Sequence, residues 1–429
     1  MSPRIVHLGF GAFHRAHGAP FTRDAGGWTI EAVAMRDPGP AGVSETAYGL
    51  VIRHPDGPTV EEIDVVSRVH ALPGHGAAVA ARMADAGTHV VTITVTEKGY
   101  GLDRAAGGLD PAAPRVAADL AAPHAPEGVT GLLVEAARLR RAAGGAGLTA
   151  MSCDNLPGNG ALLRAAVLDH ADRLDPGVAR WIEAECAFPS SMVDRITPRA
   201  TDETRALSEA ALGRPDPLAT ETEPFRQWVI EDAFAGPRPA WEDAGAEVVA
   251  DVAAHEAMKL RMLNGAHSLI AYAGLRHGHA HVRDVMASPL RGRVEALMAA
   301  AARTLPRHLD SDGYARALAS RFENPAIAHA CAQIAVDGSQ KLPQRLLAPA
   351  VETLAAGGDA APFAGAVADW MAHLRTEALD DPRAEDLRAA MGADDPLAAL
   401  GRVLGAEGLF ADPCWRDALR TADASGGSI

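Results

Sequence analysis

RIVHLGFGAFHRAH, residues 4–17, reads as a buried strand that runs into a glycine turn and then into a helix. A dinucleotide-binding turn uses one glycine for the tight bend and a second to let the pyrophosphate approach the backbone. A third lets the helix close on the strand. Gly9 and Gly11 fill the first two places, with Phe10 between them and Ala12 and Phe13 after them, and His14 stands where the third glycine belongs. In a chain with 42 glycines the turn alone reads equally as an ordinary strand-to-helix connection, so its surroundings decide.

Those surroundings are α/β. Strand-rich runs at 4–10, 28–35, 88–95 and 148–153 alternate with alanine-rich helical stretches at 76–86, 128–143 and 159–173. The alternation predicts a mostly parallel sheet covered on both faces. Segment 49–70 reads as an antiparallel hairpin inserted in that sheet, turning at Asp56-Gly57. Residues 213–246, rich in Pro, Glu, Asp and Trp, read as irregular connection. Beyond about residue 250 strand signals nearly vanish. Segments 252–276, 287–303, 312–320, 325–336, 344–356 and 362–378 carry helical spacing. The expected organisation is an α/β domain over 1–250 and an all-helical domain over 251–429.

Composition narrows the function. Hydrophobic residues at 48% and charged residues at 22% are those of a globular chain, and a net charge of −15 repels a phosphate backbone, so nucleic acid is not an expected partner. No apolar stretch approaches the roughly 18 residues of a membrane span. Cys153, Cys186, Cys331 and Cys414 are scattered and make no Cys-x-x-Cys pair, which argues against a disulfide scaffold or zinc module and fits a reducing cytoplasm. The start of the chain shows no apolar secretory segment, so a cytoplasmic location is expected.

Ligands of doubly wound sheets bind beyond the carboxyl ends of the strands. Three predicted strands end in polar groups: the glycine turn, Thr96-Glu97-Lys98-Gly99-Tyr100, and the run from Ser152 through Asp154 and Asn155 to Gly160. Together they point to a ligand crevice, with Glu97 and Lys98 beside the glycines. The second strand leads into Arg36-Asp37. Asp37 falls somewhat later than the usual interval of roughly 20 residues for an acid that binds the adenosine ribose of NAD, while Arg36 leaves NADP open.

A second constellation opens the helical half: Lys259, Asn264 and His267 in KLRMLNGAH. On an α-helix Asn264 and His267 lie about 140° and 80° round from Lys259, which places all three on one side. A lysine held against apolar neighbours loses protons more readily and serves as a base, and an asparagine amide donates to a developing alkoxide. An amphipathic helix with a solvated lysine and a core histidine gives the same spacing. His277, His279 and His281 alternate like metal ligands, with Asp284 the acid that follows them, but they read better as solvated histidines at a helix end, so no metal is expected.

Seven blocks carry a resemblance: GFGAFHRAH (9–17), TEKGY (96–100), SCDNLPGNG (152–160), FPSSMVDRITP (188–198), EPFRQWVIED (223–232), KLRMLNGAHSLIAYAG (259–274) and RFENPAIAHACAQIAVDGSQKLPQR (321–345). In this order they resemble the mannitol dehydrogenase and fructuronate reductase family, the polyol-specific long-chain dehydrogenases. That family normally lacks the third glycine, so His14 is its form of the turn; Gly18 departs from it, since glutamine commonly follows the RAH. The resemblance implies a Rossmann-type N-terminal domain, a helical C-terminal domain and an active site in the cleft between them. It implies NAD-dependent, metal-independent interconversion of a secondary alcohol and a ketone. Lys259 matches the family's base, Asn155 and Asn264 the asparagines that hold the reacting oxygen, and His267 a substrate-positioning residue. Asp194 lies in the matching VDR segment as a substrate contact.

The substrate is a small sugar acid or polyol, with monomer and dimer both open. A hexonate carries a carboxylate that calls for Arg or Lys, and Lys341 and Arg345 offer both. D-Mannonate/D-fructuronate is therefore the first expectation and mannitol or a related hexitol or pentitol the second. A non-catalytic NAD-binding sensor is the contrasting class; the presence of Lys259, Asn264, His267 and Asn155 argues against it.

Overall fold

A computed structural model describes residues 3–36, 46–103 and 108–425. The chain divides into two compact units, Met1–Ala253 and Ala254–Ile429.

In the first unit β1 (Arg4–Leu8), β2 (Thr29–Ala34), β3 (Val66–Ala71), β4 (Thr88–Ile93) and β5 (Thr149–Ser152) form one parallel sheet in the order β3-β2-β1-β4-β5. With the first strand central, this is a Rossmann-type order. Alternation along β1 sends Ile5 into a core with Phe21, Ile30 and Trp228, and sends Val6 and Leu8 into another with Val33, Leu132 and Leu163. The second core packs under helices Gly76–Ala84, Val129–Ala142 and Asn159–Leu174. Burial on both faces is why these strands read as continuous apolar runs.

Two expectations are corrected here. The hairpin forms, Tyr48–His54 against Gly57–Ile63, with His54 opposite Gly57, but it pairs with Thr220–Thr222 in a separate sheet. Its second strand is largely exposed and rich in Glu, so it cannot lie in a sheet covered on both faces. The apolar tail of the same segment becomes β3 instead. Residues 213–246 are not irregular throughout: Gln227–Glu231 runs antiparallel to Ser191–Asp194 and parallel to Glu247–Val249. These strands are too short to show a period, and Trp228 and Trp241 anchor them 4.7 Å apart in the core.

Glu31 on β2 takes charge-assisted bonds from Arg82 (2.7 Å), His70 (2.8 Å) and Arg4 (3.3 Å). Arg82 foremost, with His70, holds its carboxyl down at about 2 from an ordinary 4.5. The unfolded chain binds this proton more readily, so the stabilisation is full above pH 4.5 and is lost as pH falls toward 2. Glu31→Gln is expected to destabilise the unit by about 2 kcal/mol at neutral pH, because Arg4 and Arg82 keep Asp85 but lose the carboxylate they share with His70. Urea midpoints across the acid window should show a smaller pH dependence in the variant. Equal dependence in both proteins contradicts this account of the site.

The second unit is helical, with no named strand among the described residues. Its helix Gly265–Arg276 is buried from Gly265 to Gly274. Arg276 and Arg293 meet Asp369 at 3.1 and 2.5 Å, which joins three helices around a carboxylate only 1% exposed. The helix expected over 325–336 shrinks to Cys331–Ile334. Pro325 disfavours a helical Asn324, whose side chain instead accepts from the Ala326 N–H at 3.0 Å. Helix 252–276 is interrupted by a π-helix over Lys259–Asn264, and a second π-helix spans Pro343–Leu347. Among the described residues no helix is long and apolar enough to cross a membrane.

Candidate active site

The carboxyl ends of β1, β2 and β4 open on a groove of about 860 Å³. Gly9–Phe13, Ala34–Arg36, Thr94–Thr96 and Lys98–Gly101 line it, with the first turns of helices Pro114–Ala121 and Val129–Ala142. The two glycines serve different ends. Gly9 has φ +102°, and a Cβ there would lie 1.9 Å from the Thr94 carbonyl oxygen, so the fold itself requires glycine. Gly11 is extended at φ −90° and exposed, and a Cβ there would meet nothing nearer than the Gly9 oxygen at 3.8 Å. Its missing side chain leaves the groove floor open to a ligand, a cradle that fits the diphosphate of a dinucleotide.

His7, which the sequence reading did not single out, supports this turn. A carbonyl can only accept, so His7 Nε2–H donates to the Gly9 oxygen at 3.1 Å and Nδ1 accepts from the Thr92 hydroxyl at 2.8 Å. Burial pushes His7 down to about 3, which keeps it neutral. His14 stacks on it, ring centroids 3.3 Å apart, and is buried. An imidazole thus fills the gap that a third glycine would close. Gly18 lies under the same ring, where a Cβ would meet His14 Nδ1 at 3.1 Å.

Arg36 is exposed on the groove wall, and Asp37 lies outside the described residues. Lys98 lines the groove, while Glu97 is exposed on the same 3₁₀ turn. Asn155 is exposed just beyond the end of β5. Asp194 is buried at the end of its strand, opposite Gln227. The neighbouring Arg195, also missed from sequence, donates to the Ala16 carbonyl and to the Glu223 carbonyl at 3.0 Å, which fixes the end of the first helix.

In the second unit the π-helix alters the expected geometry. Its i→i+5 bonding places Asn264 about one turn above Lys259, instead of the 140° offset of an α-helix. Lys259 is 9% exposed. His267 follows in the next helix, packed against Phe322 and His329 at ring distances of 4.9 and 5.1 Å. Burial, then the neighbouring His329 and Arg321, hold it neutral, and its buried Nε2 has no hydrogen-bond partner.

Arg345, on the second π-helix, donates through Nη1 to the Asn264 carbonyl and to Ser268 Oγ, both at 3.3 Å. Burial lowers it to about 10, so it keeps its charge. Gly265 allows this approach, since a Cβ there would stand 3.2 Å from the Arg345 carbonyl oxygen. Lys341 is placed otherwise than expected. Its ammonium donates to the carbonyls of Val336 (2.7 Å) and Ile334 (3.4 Å) and so caps the preceding helical turn, not a ligand. Asp337, at φ 56° just before the helix Gly338–Leu342, is the one non-glycine residue in the left-handed region among those described.

Residues 3–243 match the mannitol dehydrogenase Rossmann domain and residues 251–411 the mannitol dehydrogenase C-terminal domain. The chain belongs to the mannitol dehydrogenase family. It is 40% identical to the D-mannonate oxidoreductase of Escherichia coli (strain K12), over 96% of this chain and 90% of that protein. It is 36% identical to the mannitol 2-dehydrogenase of Phaeosphaeria nodorum, over 95% of this chain and 75% of that one. The Pseudomonas fluorescens mannitol 2-dehydrogenase, solved as a ternary complex with NAD and D-mannitol, superposes with a TM-score of 0.79 at 31% identity, covering 100% of this chain and 92% of that one.

Proposed function

We propose that this chain is an NAD-dependent oxidoreductase that interconverts D-mannonate and D-fructuronate. The observation that carries the reading is Lys259 and Asn264 one turn apart on a π-helix, with His267 three residues further on in the helix that continues it. Gly9–Phe13, Arg36 and Lys98 would hold the dinucleotide, with Glu97 and Asp37 as further proposed contacts. When bound, the cofactor supplies the hydride acceptor or donor. Neutral Lys259 takes the proton from the substrate hydroxyl, and in the reverse direction its ammonium returns it. The amides of Asn155 and Asn264 donate to the oxygen as it gains charge, worth about 3 kcal/mol per well-placed donor. Neutral His267 offers a hydrogen bond to a neighbouring hydroxyl, and Asp194 is proposed to accept one. No step calls for a metal. The E. coli relative supports the sugar-acid substrate, and the P. fluorescens complex supports a nicotinamide dinucleotide as cofactor.

Arg345 is the proposed partner of the substrate carboxylate. A second reading, a neutral hexitol or pentitol, is favoured by Lys341, whose carbonyl contacts remove one of the two expected cations. Steady-state rates followed in the NADH band with fructuronate, tagaturonate, fructose, mannitol and arabinitol separate the two. Arg345→Ala is expected to raise the KM for fructuronate roughly tenfold or more and to change a polyol KM by less than about threefold. Equal effects on both would remove the carboxylate clamp and select the polyol.

A further inference from the structure

The exit of β4, which lines the groove, is joined to the exit of β5, which carries Asn155, by a half-buried carboxylate. Tyr100 closes the 3₁₀ turn after β4, and its ring is 2% exposed. Its hydroxyl lies 2.7 Å from Ser152 Oγ and donates to Asp154 Oδ2. The same Oδ2 accepts the Val95 N–H at 3.1 Å. On the other side the Asp154 carbonyl accepts from Asn159 Nδ2 at 3.0 Å, and that amide also donates to the Ser191 carbonyl at 2.8 Å. Asp154 is therefore tied through its side chain to the exit of β4 and through its backbone to the helix that follows Asn155.

We propose that Asp154 and Tyr100 are positioning residues that lock the β4 exit and the Asn155 loop into one rigid edge, so that Asn155 is held where it meets the reacting oxygen. The role of Asn155 rests on the function proposed above; the mechanical coupling of the two segments does not. A carboxylate suits this joint because an ionised oxygen accepts two donors more strongly than a neutral amide oxygen. Tyr100 and Val95 approach it from the β4 exit, Ser152 holds the Tyr100 hydroxyl, and Cys153, its neighbour in the chain, is a thiol that burial pushes up to about 12 and keeps uncharged. Burial raises the Asp154 carboxyl itself to about 6, against the Tyr100 hydroxyl and the Val95 N–H, which favour the ionised form.

The test uses Tyr100→Phe, which removes one hydroxyl and keeps the ring, together with Asp154→Asn and the double variant. Amide hydrogen exchange is followed in segments 94–100 and 153–159. The proposal expects faster exchange in both segments in each single variant. It expects kcat lower by roughly tenfold to a hundredfold, with substrate KM and NADH Kd within about twofold, and a double variant no worse than the weaker single one. Faster exchange confined to the substituted segment, or kcat equal to the parent protein, overturns it. If Asp154→Asn does not fold, Tyr100→Phe decides by the same readouts. A parent protein that turns over no uronate or ketose sinks the proposed function instead, and the exchange result then judges the coupling by itself.

Discussion

Lys259→Ala is expected to lower kcat by about 10²- to 10⁴-fold while NADH binds as in the parent protein. The size follows from the place of the residue. Lys259 is only 9% exposed, and the next turn of its π-helix carries an amide donor in Asn264. The proton released as the alcohol becomes a ketone would otherwise have to reach water unaided. Lys259→Arg should fare little better, since a guanidinium stays protonated at any working pH and cannot serve as the base. Steady-state kinetics in both directions, with NADH binding followed by fluorescence, checks both variants. A loss of less than about tenfold for the alanine variant would mean another group takes the proton.

The two glycines of the turn should behave differently. Gly9→Ala forces a Cβ to within 1.9 Å of a backbone oxygen at a left-handed φ, so a loss of about 4 kcal/mol or more and a damaged first unit are expected. Gly11→Ala adds a methyl in open space and should alter stability by less than about 0.5 kcal/mol. That methyl would stand where the proposed diphosphate lies, so NADH Kd should rise roughly tenfold or more. Calorimetry and NADH titration of the pair separate a glycine required by the fold from one required by the ligand. Normal NADH affinity in Gly11→Ala would remove the groove as a dinucleotide cradle.

The parallel sheet was legible because β1, β2, β4 and β5 are apolar runs separated by helices, and the polar groups at their ends could be read as ligand-facing without knowing their partners. The hairpin was legible as a hairpin, but its sheet was not, because Thr220–Thr222 comes from far along the chain. The strands between 220 and 249 span three to five residues each and leave no period to read. In the helical unit an α-helix turns 100° per residue, and nothing in KLRMLN announces the i→i+5 bonding that replaces it. The residues Lys259, Asn264 and His267 stand out in the sequence; their arrangement on a π-helix does not. Lys341 shows the same limit, since its charge is visible in the sequence but the carbonyls that occupy it are not. His7, Arg195 and the Tyr100–Asp154 pair act through partners brought in by the fold. Tyr100 and Asp154 did stand in strand-end blocks already singled out, which was the available signal.

The central claim is that an unprotonated amine at position 259 carries the proton. Chemical rescue tests it most directly: Lys259→Ala, saturated with NAD and D-mannonate, is assayed with increasing methylamine over a range of pH. The account predicts that activity returns in proportion to the concentration of free, unprotonated amine. Activity that fails to respond to the amine, in a variant that still binds NADH, would contradict it.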